Sequence, residues 1–484
     1  MSDAGSAQVV RSTIPARIDR MPWTRFHTRM VAALGAAWIL DGLEITVASS
    51  VTSVLTEQDT LALSSSEAGL IATVYLVGQV VGALFFGRLS DRLGRRKLFI
   101  MTFGIYLIGS GLTALTFGQG TGWNLYLYAT RFVAGTGIGG EYAAINSAIQ
   151  EMVPAKYRGR TDLGVNSTYW AGSILGTLIE LVLLSELNHN LAWRLGFLLG
   201  PALGVVVLFV RRTLPESPRW LAMHGREAEA EASIREMEAD VERTGHTLDP
   251  VPDSAAIELK EAPQTGYLRA FRVMLREYPT RCVLAASLMI TQSFLYNAIF
   301  FTYTLVLTRY YGVSENSAPL YLIAFAVGNL LGPIVLGPLF DTVGRRKMIS
   351  GSYLFSGVAL ALTAYLFQLD VLSAATQTVA WCVIFFAASA GASAGYLTAG
   401  EVFPLEIRGK AIAIFFSIGQ LVGSSGPYIF GALIGDGSHR ERLFLGYLLG
   451  AGVMIVGGVV AALFGVDAEG KSLEDVATPL SARG

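Results

Sequence analysis

Ionisable side chains stand inside long apolar stretches of this 484-residue sequence, and four of them, Asp41, Glu44, Arg131 and Glu141, are candidates for chemistry. A charged group is costly in such surroundings, so each is expected to face a cavity or an opposite charge. Asp41 and Glu44 are three residues apart, a spacing that places both on one face of a helix. Burial favours the neutral form of a carboxyl group and a nearby arginine favours its ionised form, so these groups are suited to binding and releasing protons.

The stretches that carry these residues are long enough to cross a lipid bilayer. Hydrophobic residues make up 52% of the sequence and charged residues only 15%, whereas soluble domains carry about 25% charged residues. A helix needs roughly 20 apolar residues to cross about 30 Å of hydrocarbon, and segments without strand alternation cross only as helices. We therefore predict an all-α polytopic membrane protein with twelve transmembrane helices. The predicted spans are residues 30–54, 67–87, 96–116, 123–150, 162–184, 192–211, 281–308, 317–338, 346–367, 378–402, 408–434 and 442–465.

A short basic loop occurs twice, after the second span and again after the eighth. Its residues recur 250 positions further along the chain, and residues that follow the fourth and tenth spans keep the same offset. The repeat predicts a duplicated architecture of two six-helix bundles. The residues concerned are Gly87, Asp91, Arg92, Gly94, Arg95, Arg96, Glu151 and Arg158 in the first half, and Gly337, Asp341, Gly344, Arg345, Arg346, Glu401 and Arg408 in the second. Arg92 alone of these does not recur, since position 342 is a threonine.

The placement of Lys and Arg predicts the orientation of the chain. The two repeated loops are basic, whereas residues 55–66 and 368–377 contain neither Lys nor Arg. Both termini and the basic loops are then cytoplasmic, in a multi-pass protein of a bacterial inner membrane. The predicted organisation is a mostly disordered tail at 1–29, a bundle at 30–211, a linker with short surface helices at 212–280, a bundle at 281–465 and a tail at 466–484.

The four ionisable residues are predicted to lie deep in their spans. At 1.5 Å per residue, Asp41 and Glu44 lie roughly 16 and 21 Å from the cytoplasmic edge, and Arg131 lies roughly 18 Å from it. We interpret Glu44, with Asp41 assisting, as a proton-binding site and Arg131 as the partner that modulates it. A static buried ion pair is the alternative. Glu141 lies nearer the cytoplasm and is a candidate to bind substrate, relay a proton or pair with another charge.

Glycine recurs in the fourth predicted span, at Gly135, Gly137, Gly139 and Gly140. A dinucleotide-binding loop needs a preceding strand and a βαβ unit, but here the preceding residues belong to an apolar span. Close helix packing is therefore the better interpretation. The net charge of −1 does not suggest nucleic-acid binding, and the two cysteines suggest no metal site. We expect neither a cofactor nor an enzymatic activity.

The repeated loop, Gly-x-Leu-x-Asp-x-x-Gly-Arg-Arg-Lys at 87–97, resembles that of the major facilitator superfamily, and the likeness covers nearly the whole chain. The run Pro-Glu-Ser-Pro-Arg at 215–219, with Gln292 and Asn297 in the seventh span, is similar to segments of its sugar-porter branch. Asp-Gly-Leu-Glu at 41–44 resembles a segment of its aromatic-acid–proton symporters.

The resemblance implies two bundles that rock about a central site near the membrane midplane. It pairs an acidic residue of the first span with Arg131. It also implies that the basic loops and the acidic residues Glu151 and Glu401 form a cytoplasmic gate. Asp91 and Asp341 are placed to cap a neighbouring helix N-terminus, where the helix dipole favours negative charge.

Departures from the sugar-porter pattern favour an organic acid over a hexose as substrate. Leu295 replaces a glycine of the seventh-span segment, and residues 391–396 lack a Pro-x-Pro-Trp run. The predicted function is secondary active transport of a small organic, especially aromatic, acid with protons, by a monomer in the lipid bilayer. A sugar porter and a membrane sensor without transport are the alternatives. The predicted substrate contacts lie midway through spans and are Tyr75, Gln79, Asn166, Tyr169, Trp170, Gln292, Tyr296, Asn297, Phe300, Tyr396 and Gln420.

Overall fold

The first half of the chain is a bundle of six long helices preceded by a short strand and a short helix. The computed structural model describes residues 9–55, 57–63, 65–211, 216–260, 266–300, 302–313, 317–404, 406–435, 437–478 and 480. The elements of the first half are β1 (Val9–Ser12), α1 (Ile14–Asp19), α2 (Arg25–Val54), α3 (Ser65–Leu93), α4 (Arg95–Ala114), α5 (Thr121–Met152), α6 (Arg158–Glu186) and α7 (His189–Arg211).

The segment between the two halves contains three short helices and a strand. The hydroxyl of Ser217 caps the first of these helices by accepting the backbone N–H of Trp220 at 3.2 Å, which satisfies one of the free N–H groups of a helix start. The elements are α8 (Pro218–Met223), α9 (Glu227–Arg243), β2 (Ile257–Lys260) and α10 (Tyr267–Glu277).

The second half repeats the six-helix arrangement, but its first and fifth helices are each divided in two. The divisions fall inside the predicted spans 281–308 and 408–434. The elements are α11 (Pro279–Phe300), α12 (Tyr303–Tyr311), α13 (Ala318–Thr342), α14 (Arg345–Gln368), α15 (Ala374–Glu401), α16 (Arg408–Gly423), α17 (Ser425–Ile434), α18 (Arg440–Phe464) and α19 (Leu473–Val476).

The outside of the bundle is apolar, and the protein is a multi-pass integral membrane protein. Phe85, Val358 and Leu445 are each more than half exposed on long helices, whereas Arg131 and Glu44 are buried. This distribution suits a lipid environment, in which charged groups face the interior. Within the part of the chain that the structure describes, nine helices are long and apolar enough to cross a membrane.

Glycines allow the helices of the first half to approach until backbone meets backbone. A Cβ atom on Gly139 of α5 would lie 1.9 Å from the carbonyl oxygen of Gln79 on α3. A Cβ on Gly172 of α6 would lie 1.8 Å from the carbonyl oxygen of Ile39 on α2. The glycines of the fourth span therefore serve close packing of helices, as predicted.

Substitution of Gly139 tests this packing. We expect Gly139→Val to lower the midpoint of thermal unfolding in detergent strongly, because overpacking costs about 1–3 kcal/mol and the added atoms here meet the backbone of Gln79. Gly104→Val on α4 is the matched control, since a Cβ there meets no atom within 4 Å. Equal midpoints for the two variants would contradict the packing argument.

The N-terminal segment is folded, so the prediction of a mostly disordered tail is wrong for residues 9–29. Strand β1 pairs antiparallel with β2, which adds a two-stranded sheet to the predicted all-α fold. Ile14 and Ile18 of α1 pack against Trp220 and Ile234 of the connecting segment. The tail is polar in composition, and the apolar surface that it covers lies more than 200 residues away in the sequence. The contact could therefore not be predicted from the tail itself.

Ion pairs on Glu238 of α9 hold this segment in place. Burial acts to raise the pKa of Glu238, but hydrogen bonds from Arg17 and Arg20 outweigh it and hold the pKa below its ordinary value. A carboxyl group with a lowered pKa stabilises the folded contact above its ordinary pKa, and this stabilisation is lost as the pH falls through the lowered value. We expect Glu238→Gln to speed proteolysis within residues 9–20 at neutral pH, and Glu242→Gln, on the exposed side of α9, to leave it unchanged.

Candidate functional site

A cavity of about 200 Å³ lies between the two halves. Helices α2, α3, α5 and α6 line it from the first half, and α11, α15 and α16 line it from the second. Its size suits one small organic molecule. The structure brings all eleven predicted substrate contacts together on its wall: Tyr75, Gln79, Asn166, Tyr169, Trp170, Gln292, Tyr296, Asn297, Phe300, Tyr396 and Gln420. Their role in binding stays a prediction.

Arg131 and Glu44 form a buried ion pair beside this cavity. The Nη1 atom of Arg131 donates to Oε1 of Glu44 at 2.5 Å, and the two side chains are 1% and 2% exposed. The guanidinium lies over the ring of Tyr75, 4.4 Å from its centre, and is part of the cavity wall. The hydroxyl of Tyr106 on α4 faces Glu44. A cation, the guanidinium of Arg131, thus lies at the cavity, and its partner in this structure is a carboxylate of the protein.

Asp41 is held by neutral partners. The hydroxyl of Tyr75 donates to Oδ1 at 3.3 Å, and the hydroxyl of Tyr142 donates to Oδ2. Asp41 is 2% exposed, and no arginine or lysine of the described chain forms an ion pair with it. An ionised carboxylate without a counter-charge is costly in a membrane protein. Asp41 is therefore a second candidate, beside Glu44, for the proton-binding site predicted from the sequence.

Two residues around Asp41 were missed by sequence reasoning. Trp38 stacks on Tyr142 with ring centres 4.5 Å apart, and both rings line the cavity. Trp38 lies one helical turn before Asp41, a spacing that signals a shared helix face. The pairing of Tyr142 with Asp41 joins positions 101 residues apart and had no local signal. Glu141, adjacent to Tyr142, is buried at 2% exposure and is not part of the cavity wall.

Amide and aromatic side chains connect the two halves across the cavity. Nε2 of Gln420 donates to Oε1 of Gln79 at 3.1 Å. The ring of Trp170 lies 5.6 Å from that of Tyr296 and 5.4 Å from that of Phe300. The wall is therefore mostly apolar, with aromatic rings as its largest groups, and it also carries amide and hydroxyl side chains that can form hydrogen bonds. Apolar walls with placed polar groups are typical of small-molecule sites. The wall residues that sequence reasoning missed also include Ser389, Ser393 and Phe416.

A cluster of ion pairs lies where the two halves meet at one end of the bundle, which we call the charged end and define by Arg158, Asp341, Arg345 and Glu401. Arg345 donates to both oxygens of Glu401, at 3.0 and 3.1 Å, and to Asp341 at 2.7 Å. Arg158 of the first half lies 3.6 Å from Glu401 of the second. All four side chains are buried or nearly so. Of these ion pairs, that of Arg158 with Glu401 joins the two halves at this end.

Asp341 also caps the first turn of α6. Its two carboxylate oxygens accept the backbone N–H groups of Gly159, at 3.0 Å, and Arg160, at 2.8 Å. This is the capping contact expected from the sequence, and it crosses from the second half to the first. Negative charge at a helix start is favoured by the helix dipole. The gating role of the contact stays a prediction.

The other predicted gate residues belong to turns or make contacts of their own, outside the ion pairs of the charged end. Gly94 and Gly344 precede α4 and α14 with φ of 85° and 116°, conformations that favour glycine. Gly337 lies beside Arg160 of α6. Arg346 donates to the carbonyl of Ala462 at 2.7 Å.

Three further predicted gate residues are packed inside the protein. Gly87 lies against Tyr267 and Ala413. Glu151 and Arg408 are buried. The side chains of Asp91, Arg92, Arg95 and Arg96 lie outside the part of the chain that the structure describes.

Membrane-crossing helices in two halves, with a small cavity between the halves and ion pairs at one end, form an arrangement that suits a solute transporter. The family model described as "Sugar (and other) transporter" matches residues 29–479. The chain belongs to this family of the major facilitator superfamily, as the sequence resemblance predicted.

Known relatives and a solved structure match almost the whole chain. The niacin transporter NiaP of Acinetobacter baylyi is 25% identical over 466 residues, covering 95% of this chain and 99% of that protein. The glucose transporter GlcP of Staphylococcus epidermidis is 26% identical and covers 87% and 90%. The proton:xylose symporter XylE bound to 6-bromo-6-deoxy-D-glucose superposes with a TM-score of 0.77 at 19% identity, covering 93% and 98%. The likeness to XylE confirms the predicted fold of twelve helices in two halves.

Proposed function

We propose that this protein is a secondary active transporter that carries a small organic acid together with protons. The cavity gains access to the two sides of the membrane alternately. The main support for the proposal is the ion pair of Glu44 with Arg131. Arg131 is a cation and lies on the cavity wall. The charged end faces the cytoplasm of a bacterial inner membrane, with both termini on that side, and the protein works as a monomer.

Proton binding and substrate binding are coupled through Arg131. When Glu44 takes up a proton, it loses the negative charge that holds the guanidinium. Arg131 then offers its donors to the carboxylate of the substrate, a pairing that guanidinium groups make well because two parallel hydrogen bonds form. The surrounding rings, Trp38, Tyr142 and Trp170 among them, pack against the apolar part of the substrate. Proton and acid thus enter together without an unpaired buried charge.

One known relative supports this class of substrate. Niacin, which the name of the Acinetobacter relative gives as its substrate, is an aromatic ring with one carboxyl group. Such a molecule matches an aromatic wall that contains a single arginine. Its size also suits a cavity of about 200 Å³.

A sugar porter is the second candidate. The amide groups of Gln79, Gln292, Asn297 and Gln420 meet at the same cavity and suit the hydroxyl groups of a sugar, since an amide both donates and accepts. The glucose transporter among the relatives agrees with this choice. Arg131 would then meet no carboxylate of the substrate.

Uptake by reconstituted protein separates the two candidates. Liposomes with an acidic exterior are offered nicotinate, benzoate and glucose in turn, with and without a protonophore. We expect accumulation of an aromatic acid that the protonophore abolishes. Uptake must exceed that of protein-free liposomes, because neutral acids cross lipid unaided. Accumulation of glucose with none of either acid would overturn the choice of substrate.

A further inference from the structure

Asp162 of α6 is a buried carboxyl group for which the transport scheme above has no role. It is 0% exposed. Its Oδ2 atom accepts one hydrogen bond, from Nδ2 of Asn166 at 3.2 Å, and no described residue donates to Oδ1. An ionised carboxylate normally gathers several donors or a counter-charge when it is buried. In this state of the protein, Asp162 is therefore best satisfied as the neutral acid.

The position of Asp162 links the cavity to the charged end. Asn166, one helical turn along α6, lines the cavity. Tyr396, also on the cavity wall, lies within electrostatic range of both Asp41 and Asp162. One turn in the other direction, Gly159 donates its N–H to Asp341 at the charged end. Asp162 thus lies between the cavity and the bonds that close the bundle.

The charged groups that act on Asp162 are already engaged with one another. They are Arg158 on its own helix, Asp341 on α13, Arg345 on α14 and Glu401 on α15. Arg345 is committed to Glu401 and Asp341, and Arg158 lies against Glu401. The ion pair of Arg158 with Glu401 joins the two halves, so opening of the charged end breaks it and alters the surroundings of Asp162.

The internal repeat shows that the fold does not need a carboxyl group at this position. Glu151, Arg158 and Gly159 each recur 250 residues later, but the counterpart of Asp162 is Ile412. Ile412 is 0% exposed and packs in an apolar core. The gate scaffold is duplicated, whereas the buried acid is present in the first half alone. A role specific to that half explains this difference.

We propose that Asp162 is a second proton-binding site, which takes the proton released at the cavity and delivers it when the charged end opens. The inference rests on the proposed co-transport of protons. The proton leaves the carboxyl group of Asp41 or Glu44, which becomes ionised. It passes by way of the cavity to the Asp162 carboxylate, which becomes neutral. Opening admits water, which accepts the proton and solvates the Asp162 carboxylate.

The test compares two modes of transport in liposomes that contain the full-length protein, with nicotinate as the probe. Net uptake driven by a pH gradient requires proton release in every cycle, whereas exchange of labelled for unlabelled nicotinate does not. We expect Asp162→Asn to reduce net uptake at least tenfold and to leave exchange within twofold of the wild type. Asp162→Glu, which restores a carboxyl group, is expected to recover net uptake in part.

Two results would overturn the proposal: unchanged net uptake by Asp162→Asn, or equal loss of both modes, which a purely structural role predicts.

Infrared spectroscopy of the protein in membranes is independent of transport. We expect the protonated-carboxyl band at neutral pH to lose intensity in Asp162→Asn, and an unchanged band would contradict the inference. Failure of the proposed function has a different signature, because the wild type itself would then show no proton-driven uptake.

Discussion

Glu44→Gln is expected to abolish accumulation of substrate against a gradient. The neutral amide cannot take up or release a proton, and it no longer balances the charge of Arg131, with which Glu44 forms an ion pair at 2.5 Å. Removal of one partner of a buried pair costs about 3–5 kcal/mol, so the midpoint of thermal unfolding is also expected to fall. Proton-driven uptake into liposomes and thermal unfolding in detergent measure the two effects.

The double variant Glu44→Gln/Arg131→Gln separates a transport role from a static one. Removal of both charges is expected to restore most of the thermal stability, because no unpaired charge remains. Uptake is expected to stay absent. Recovery of uptake along with stability would show that the pair is only structural. Glu186→Gln, at the exposed end of α6, controls for the loss of a carboxylate as such.

Glu401→Gln is expected to open the charged end. Glu401 accepts two hydrogen bonds from Arg345 and lies 3.6 Å from Arg158, so this carboxylate contacts an arginine of each half. Its loss weakens the closed state by an amount on the order of 3 kcal/mol, the lower end of the range for a broken buried pair. This corresponds to a shift in the closed-to-open ratio of roughly a hundredfold.

Labelling of a reporter cysteine measures this opening. Thr161 is 5% exposed beside the charged end, and a cysteine there is tested in a background without Cys282 and Cys382. A water-soluble maleimide is expected to label it at least tenfold faster when Glu401 is Gln. Glu186→Gln is again the control. Equal labelling rates would show that these bonds do not hold the end closed.

The sequence predicted the overall fold because each membrane span carries its own signal. Length and apolar character alone indicate a helix that crosses lipid, and the repeat at an offset of 250 residues indicates two halves. The resemblance on which the family prediction rested lies in short, contiguous runs such as residues 87–97. These are local properties of the chain, and folding is not needed to recognise them.

The error on the N-terminal tail and the omission of Tyr142 both concern contacts between distant segments. Residues 9–29 were expected to be mostly disordered, because the strand β2 and the helix α9 that they pack against are far away in the sequence. Tyr142 was not predicted as a partner of Asp41, since a hydroxyl 101 residues away leaves no pattern beside the carboxylate.

The sequence by itself therefore determined the membrane class, the twelve helices, the two halves and the residue types available in their middle. The tertiary structure alone decided which of those residues meet: that Arg131 lies against Glu44, that two tyrosine hydroxyls hold Asp41, and that Asp162 lies between the cavity and the charged end. The physical reason is the range of the interactions. Transfer into lipid depends on each segment alone, whereas a hydrogen bond depends on the distance between two atoms that only the packing of helices sets.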